Sequence, residues 1–250
     1  MESGLTIKRN PIDLVTFVIG PAATQFMVHK EVACKYSPVW KAAFDGPMVE
    51  GQTQTYIMDD VDPEDFRSVV QWIYAGKIKL LCHEELSCPK ARAQVADQTL
   101  SNPDANGRDV NETQTKRCWD FQLCGEQDKT LVRLWVLADK LLMDDLQNYV
   151  MDILIGTFEG CTALVEDTYQ YIYENTVHGS PLRDLVVVER VLDGISYPDK
   201  IPRDALVDII RGHEIGLPEV GIDTDDIYNG TRKLDNRYFH VNRGRRNNAD

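Results

Sequence analysis

The side chains best suited to chemistry in this sequence are metal ligands on either side of residue 100. They are Cys82, His83, Cys88, Cys118 and Cys124. Thiolates and imidazoles are the usual ligands of tetrahedral zinc. The spacing is unfavourable, because five residues lie inside each cysteine pair, whereas structural zinc sites usually leave about two to four. We therefore predict reduced cysteines with no metal and no cofactor, and keep a zinc site as the alternative.

Catalytic motifs are missing from the sequence. It contains no G-x-S-x-G elbow, no phosphate-binding loop, no G-x-G-x-x-G and no H-E-x-x-H. Acidic pairs such as Asp59-Asp60 and Asp144-Asp145 are adjacent in the chain, so their side chains diverge on a helix or a strand. The five histidines show no arrangement of a nucleophile with a base. We predict that the protein is not an enzyme and has no catalytic or cofactor-binding residues.

The composition is that of a folded, acidic protein. Apolar residues make up 43% of the 250 positions, and the formal net charge is −13. Such a surface repels phosphate, which argues against nucleic acid as the main partner. The charge is reversed from Thr231 onward, where six Arg or Lys stand against two Asp. We expect a solvated tail there, with a nuclear-import or nucleic-acid-binding patch as the alternative.

The first residues contain no apolar signal segment, and no stretch approaches the roughly 18 apolar residues of a membrane span. We therefore expect the protein in the cytoplasm, the nucleus or both, and no membrane partner. In those compartments the six cysteines are expected to stay reduced.

Three short strands are predicted in the first quarter of the chain. Residues 14–19 and 25–28 are rich in β-branched and aromatic side chains, and Gly20-Pro21 separates them. This pattern predicts a hairpin with a loop of about four or five residues. Residues 55–58 have the same character and predict the third strand.

Three helices are predicted around these strands. The first covers residues 29–36, and Ser37-Pro38 supplies the N-cap and first-turn signals of the second. The third begins after Asp62 and stops at Gly76. Its apolar face is predicted from residues with helical spacing, namely Phe66, Val69, Val70, Ile73 and Tyr74.

The pattern changes after Gly76. Residues 77–81 and 118–124 alternate apolar and polar side chains, so each predicts a short strand. The polar sequence between them predicts a flexible insertion at about 82–128. Apolar stripes within 131–154 then predict a helical hairpin, whose second helix begins at Asp144-Asp145. We expect this hairpin to cover the apolar face of the helix that follows Asp62.

The remaining sequence predicts a helical extension. Helices are expected over 164–173, after Ser180-Pro181 and after Pro202. The predicted organisation is an N-terminal segment over 1–12, a main domain over 13–158, the extension over 159–216, and a loosely structured basic tail over 217–250.

The ordered set of features from Asp13 to Tyr74 resembles a BTB/POZ domain of the kind common in fungal proteins. The resemblance is carried by Asp13, Val28-His29-Lys30, Ser37-Pro38, Phe44, Glu50 and Tyr74, and it extends over residues 131–154. It implies an α/β (α+β) fold with a small sheet of three to five strands flanked by helices, followed here by the helical extension.

The resemblance implies protein–protein interaction without chemistry, as an adaptor or an oligomerisation scaffold. In one version the chain is a substrate adaptor that docks on a cullin scaffold of a ubiquitin ligase through residues 76–86 and 128–150. In the other it associates with itself or with transcription-related proteins. The alternative function is a metal-binding or nucleic-acid-binding regulator that uses the insertion cysteines and the basic tail.

A set of partner-interface residues follows from the resemblance. They are Asp13, Lys30, Leu80, Leu81, Glu84, Trp135 and Asp139. In repressor-type relatives, residues placed like Asp13 and Lys30 line a pocket at the dimer interface; the alternative is an Asp that ends a turn and a partly exposed Lys. His29 is expected to be a structural histidine.

Two departures from the family pattern bear on these versions. Cullin-binding members often carry an aliphatic-x-Glu pattern after the long helix, and Cys82 occupies the comparable place here. Repressor-type dimers exchange an N-terminal helix and strand, whereas the residues before Asp13 are few and polar. A dimer made by exchange of N-terminal elements is therefore not expected.

Overall fold

The computed structural model describes residues 13–81, 121–160, 164–195, 198–215 and 234–241. They fall into two compact units. The first contains the described residues up to Gly76 together with Lys140–Met143, and the second contains the other described residues.

The first unit combines a three-stranded sheet with short helices, as predicted. Its elements are β1 (Leu14–Ile19), β2 (Thr24–His29), α1 (Lys30–Tyr36), α2 (Pro38–Asp45), α3 (Val49–Thr53), β3 (Thr55–Met58) and α4 (Pro63–Ala75). The strand order is β2-β1-β3, with β1 antiparallel to β2 and parallel to β3. The predicted α/β class is confirmed, and α3 is the element that the sequence pattern did not predict.

One face of β1 forms the centre of the first unit's core. Val15, Phe17 and Ile19 alternate along the strand and are fully buried, as the two-residue period of a strand requires. The ring of Phe17 lies 4.7 Å from that of Trp40 and 5.0 Å from that of Phe66, centroid to centroid. These tilted contacts are the favourable geometry for aromatic pairs.

Helix α2 begins as its Ser-Pro pair predicts. Ser37 Oγ accepts a hydrogen bond from Trp40 N at 3.2 Å, which satisfies one of the free N–H groups of the first turn. The same hydroxyl donates to the Leu141 carbonyl at 2.7 Å. Ser37 is fully buried, so one side chain both caps the helix and joins it to residues 140–143.

Helix α4 has the predicted ends but a slightly different buried face. Asp62 Oδ1 accepts from Glu64 N at 2.7 Å, and Gly76 ends the helix with φ 67°. Trp72 is 7% exposed and belongs to the buried face, whereas Tyr74 is 50% exposed, contrary to the prediction. At about 100° per residue, Tyr74 lies roughly 140° around the helix from Val69, the middle of the buried face, whereas Trp72 lies roughly 60° from it.

The second unit is helical. Its elements are α5 (Phe121–Lys140, whose last residue belongs to the first unit), α6 (Asp144–Gly160), α7 (Tyr169–Asn175), α8 (Pro181–Asp193), α9 (Arg203–Ile215) and α10 (Asn236–Phe239), with 3₁₀ turns at Glu166–Thr168 and Pro198–Lys200. Helix α8 contacts α6, α7, α9 and α10. Residues 185–190 of α8 are all buried, so this helix is central to the unit.

The described residues contain neither of the two strands predicted after Gly76. Residues 77–81 are not a strand, although Ile78 and Leu80 are buried and the residues between and beside them are exposed. The backbone N–H of Ile78 donates to the Tyr149 hydroxyl instead of to a neighbouring strand. Residues 121–124 form the start of α5, so that alternation was also not a strand signal, and the helix begins before residue 131, where the predicted hairpin starts. The segment 82–120, which includes Cys118, lies outside the described residues.

Part of the tail predicted to be loosely structured is packed. Leu234, Phe239 and Val241 are buried, with 5%, 0% and 6% exposure, and α10 contacts α6 and α8. The prediction relied on the basic composition of the tail and overlooked these apolar side chains. Within the described ranges, no helix is both long and apolar enough to cross a membrane.

Candidate interaction surface

The sheet of the first unit presents apolar side chains on the face opposite its core. Residues 14, 16 and 18 of β1 point to that face, because the core takes residues 15, 17 and 19. The strand register places Met27 beside Thr16 and Ile57 beside Val18. The three strands therefore build one continuous outer face.

Four apolar side chains lie on this outer face, beside the polar residues Thr16, Gln25, His29 and Thr55. Met27 is 71% exposed, Ile57 67% and Leu14 42%. Exposed apolar groups gathered on one face mark interaction surfaces more often than isolated ones do. Covering them would release about 25 cal/mol for each Å² removed from water. We name Leu14, Val18, Met27 and Ile57 the outer sheet face.

The predicted pocket residues Asp13 and Lys30 lie next to this face. Lys30 N donates to the Asp13 carbonyl at 2.9 Å, which closes the end of the hairpin. The Lys30 ammonium lies 3.1 Å from Asp45 Oδ1 and donates to the Phe44 carbonyl at 3.1 Å. Lys30 therefore has its partners within the first unit, whereas Asp13 is exposed.

His29 has the structural role that the sequence predicts. Its backbone N–H donates to the Tyr74 hydroxyl at 3.0 Å, and its Nδ1 lies 2.7 Å from the same oxygen. This double contact joins the end of β2 to the last turn of α4. It also explains why Tyr74 leaves the buried stripe of its helix.

The other predicted interface residues differ in accessibility. Leu80 and Trp135 are 5% and 1% exposed, so both side chains are core residues of the described structure. Leu81 is 54% exposed, and Asp139 Oδ1 accepts from Gln147 Nε2 at 3.1 Å. Glu84 lies outside the described residues. Their role at an interface stays a prediction, for which Leu81 offers the most accessible apolar surface of this group.

Two buried carboxylates in the second unit were not singled out from the sequence. Glu189 Oε2 accepts from Leu164 N at 2.8 Å, and Asp128 accepts from the backbone N–H of Val165. Burial raises the pKa of Asp128 to about 7, against the opposing effect of that hydrogen bond. Burial also raises the pKa of Glu189 well above its usual value. Because both acids bind backbone amides beside the 3₁₀ turn, their arrangement is structural.

A third acid of the second unit shares this behaviour. Burial, reinforced by the neighbouring carboxylate of Asp208, raises the pKa of Asp184 to about 6, while His178 acts in the opposite direction. Asp208 itself accepts a hydrogen bond from the Tyr173 hydroxyl at 3.1 Å. A sequence signal existed for Glu189, which interrupts the apolar run 185–192, but none distinguished Asp128 or Asp184 from surface acids.

The described residues contain no group of three or more potential metal ligands. Cys124 is buried and Cys34 is partly buried. Four of the five predicted candidate ligands, Cys82, His83, Cys88 and Cys118, lie outside the described residues.

Residues 9–90 match the family model described as BTB/POZ domain. Two mouse proteins are similar to this chain. "TD and POZ domain-containing protein 4" of Mus musculus is 33% identical over 67 residues, which are 27% of this chain and 18% of the relative. "TD and POZ domain-containing protein 5" of the same species is 27% identical over 117 residues, which are 37% and 34% of the two chains.

A human protein is similar over the same kind of short segment. "Kelch repeat and BTB domain-containing protein 7" of Homo sapiens is 34% identical over 70 residues, which are 28% of this chain and 10% of the relative. The chain thus spans only between 10% and 34% of the length of these relatives.

Proposed function

We propose, starting from the BTB/POZ domain that this chain carries in residues 9–90, that the protein is an adaptor or an oligomerisation scaffold. A BTB/POZ domain is a protein–protein interaction module, so the general function is binding without chemistry. The proposal also names the surface that binds and the partner protein that it contacts.

The outer sheet face is the observation that carries this proposal. Met27 and Ile57 are more than two-thirds exposed, at 71% and 67%. They lie on the two strands that flank β1, beside Thr16 and Val18 respectively. A rigid face of this kind loses little conformational entropy when it is covered, because the strands already fix the backbone. Apolar side chains near the centre of a contact and polar ones at its rim are the usual arrangement of a protein interface. On the same face Gln25, His29 and Thr55 supply the polar groups.

A cullin scaffold of a ubiquitin ligase is the partner that we propose for the adaptor version. The basis is the resemblance together with the exposed Leu81, which follows the long helix α4 and belongs to the segment expected to dock. The name of the human relative combines Kelch repeats with a BTB domain. Cys82 in the comparable place of the aliphatic-x-Glu pattern makes this version the one that most needs a direct test.

The experiment combines light scattering over a range of concentrations with capture on an immobilised cullin scaffold. The double variant Met27→Asp/Ile57→Asp places two charges on the outer sheet face without touching the core. We expect it to weaken self-association or capture at least tenfold, with an unchanged melting temperature. The matched control is Val177→Asp, since Val177 is 78% exposed in the second unit.

The outcomes separate the versions. Capture by the cullin scaffold that is lost in a Leu81→Asp variant would support the ligase adaptor. Self-association without capture would leave the scaffold version and remove the adaptor version. A folded double variant that associates and is captured like the unmodified chain would remove the outer sheet face from the proposal.

A further inference from the structure

Residues 234–241, here called the strap, lie along helix α6 and make paired hydrogen bonds with it. Asn148 Oδ1 accepts from Val241 N at 2.6 Å, and Asn148 Nδ2 donates to the Val241 carbonyl at 3.2 Å. An asparagine side chain can pair with both polar groups of one residue only where an extended backbone is presented to it. This is how a protein recognises a peptide backbone whatever its side chain.

Acidic side chains of the same helix receive the rest of the strap. Asp152 Oδ1 accepts from Asn236 Nδ2 at 2.7 Å and lies 2.9 Å from His240 Nε2. Glu159 Oε1 accepts from Leu234 N at 2.8 Å. The strap thus brings hydrogen-bond donors to a row of acceptors.

The acceptors form one row because of their spacing. Asn148, Asp152 and Glu159 are separated by four and seven positions, so they share a face of α6. Val241 meets the first of them and Leu234 the last. The strap therefore runs antiparallel to the helix along that row, which we name the α6 row.

Three apolar side chains anchor the strap, and residues 235, 237 and 238 are its exposed positions. Leu234, Phe239 and Val241 are buried, whereas Tyr238 is 40% exposed and the Arg237 side chain is 87% exposed. A few deep anchors with exposed residues between them are typical of a peptide held in a groove. A core segment would instead be buried on most of its length.

The strap also supplies its own local order. Asp235 Oδ1 accepts from Arg237 N at 3.0 Å and caps the four-residue helix α10. Residues 216–233 separate the strap from α9 in the sequence, and a chain of that length can span roughly 60 Å when extended. The covalent connection alone therefore does not hold the strap on α6.

We propose that the α6 row, with the sockets of the three anchors, is a peptide-binding site that the strap occupies as an internal ligand. The partner that fits is a protein segment with an aromatic anchor between two aliphatic ones and with amide or imidazole donors for Asp152. While the strap is bound the site is closed to that partner. This proposal concerns the second unit and does not depend on the function proposed above.

The test uses the full chain and a fluorescein-labelled peptide with the sequence of residues 232–243. Phe239→Asp removes the deepest anchor and is expected to release the strap from its own site. We expect the peptide to bind this variant at least tenfold more tightly than the unmodified chain, because the internal ligand no longer competes. Fluorescence anisotropy measures the binding, and circular dichroism verifies that the variant is folded.

Matched substitutions on α6 establish where the peptide binds. In the Phe239→Asp background, Asp152→Ala is expected to weaken peptide binding at least tenfold, whereas Asp145→Ala, on an exposed acid of the same helix, leaves it unchanged. Equal binding to the unmodified chain and to a folded Phe239→Asp variant would overturn the proposal. Equal loss from both aspartate variants would overturn it as well.

Hydrogen exchange of the unmodified chain keeps the proposal falsifiable if Phe239→Asp unfolds. An internal ligand leaves its site as a unit without unfolding the helix beneath it. We expect the amides of Leu234 and Val241 to exchange at least tenfold faster than those in the middle of α6. Exchange at one common rate would show that the strap is ordinary core and would overturn the proposal.

Discussion

The two units of the chain differ in how many polar groups they bury. In the described part of the first unit the buried polar residues are Ser37 and Asp65, and the core is built from aromatic rings in tilted contact. The second unit buries several, including Asp128, Glu189 and Arg190. A buried carboxylate costs free energy unless it is paired or protonated. The stability of the second unit is therefore expected to respond to pH, and that of the first unit to packing.

The largest effect is expected from the aromatic core of the first unit. Phe17→Ala removes a fully buried ring that contacts Trp40, Phe44 and Phe66, and should lower the free energy of unfolding by about 3–5 kcal/mol. Urea unfolding followed by tryptophan fluorescence measures it. Met27→Ala on the exposed face is the control and should change stability by less than about 0.5 kcal/mol. Similar losses in both variants would contradict the core assignment.

A somewhat smaller effect should come from pH and should reside in the second unit. The folded-state pKa of Asp128, about 7, lies above the ordinary value of 3.8, so its proton stabilises the fold. That contribution is complete below about pH 4 and is lost as the pH rises through 7. At about 1.4 kcal/mol per unit, it amounts to at most about 4 kcal/mol. Glu189 and Asp184 shift in the same direction.

The measurement is the urea midpoint between pH 5.5 and pH 8.5, where it should fall as the pH rises. Asp128→Asn keeps an acceptor for Val165 and removes one of the three titrations, so it should make the curve less steep. Asp204→Asn, on an exposed residue of α9, should leave the curve as it is. A midpoint that rises between these pH values would contradict the difference drawn between the units.

A third effect tests the buried hydroxyl of the first unit. Ser37→Ala removes the cap of α2 and the hydrogen bond to the Leu141 carbonyl. We expect a loss of about 1–3 kcal/mol, because the Trp40 N–H and that carbonyl both lose a buried partner. Ser68→Ala is the control, since its hydroxyl only bonds back to the Glu64 carbonyl at the surface. Thermal unfolding of the two variants should therefore differ clearly.

The smallest effect is expected at the surface of the first unit. Lys140 Nζ lies 3.3 Å from Asp60 Oδ2, and both side chains are more than half exposed. Such pairs contribute about 0–1 kcal/mol and are screened by salt. Lys140→Ala should thus be close to neutral in 0.5 M salt. A larger loss would show that the first unit also depends on its charges.

Most of the first unit could be predicted because its signals are local. The strands β1 to β3 follow from runs of β-branched residues, the start of α2 from a Ser-Pro pair and the start of α4 from an Asp-Pro pair. Each of these signals involves only a few consecutive residues. Helix α3 escaped because it is five residues long and has Gly51 at its centre. A Cβ at Gly51 would collide with the Gly46 carbonyl, a constraint that comes from a neighbouring segment.

The second unit was predicted less well because its signals depend on tertiary contacts. The start of α5 contains Gln127 and Asp128, polar residues that are buried at 2% and 1% exposure, so the pattern suggested a loop. The alternation at 77–81 reflected packing, with Tyr149 taking the place of a strand partner. The strap was not predicted because it lies in a segment of basic composition. In each case the conformation depends on contact with residues that are far away in the sequence.

The central position of β1 has a consequence for how the first unit is made. Strand β1 pairs first with its hairpin partner, which can form within about 10 μs. Its other edge waits for β3, which is synthesised only after α1 to α3. A ribosome that pauses before residue 55 therefore leaves an apolar strand with an open edge, the structure most prone to pair with other chains. Demand for chaperones during synthesis should peak at that point.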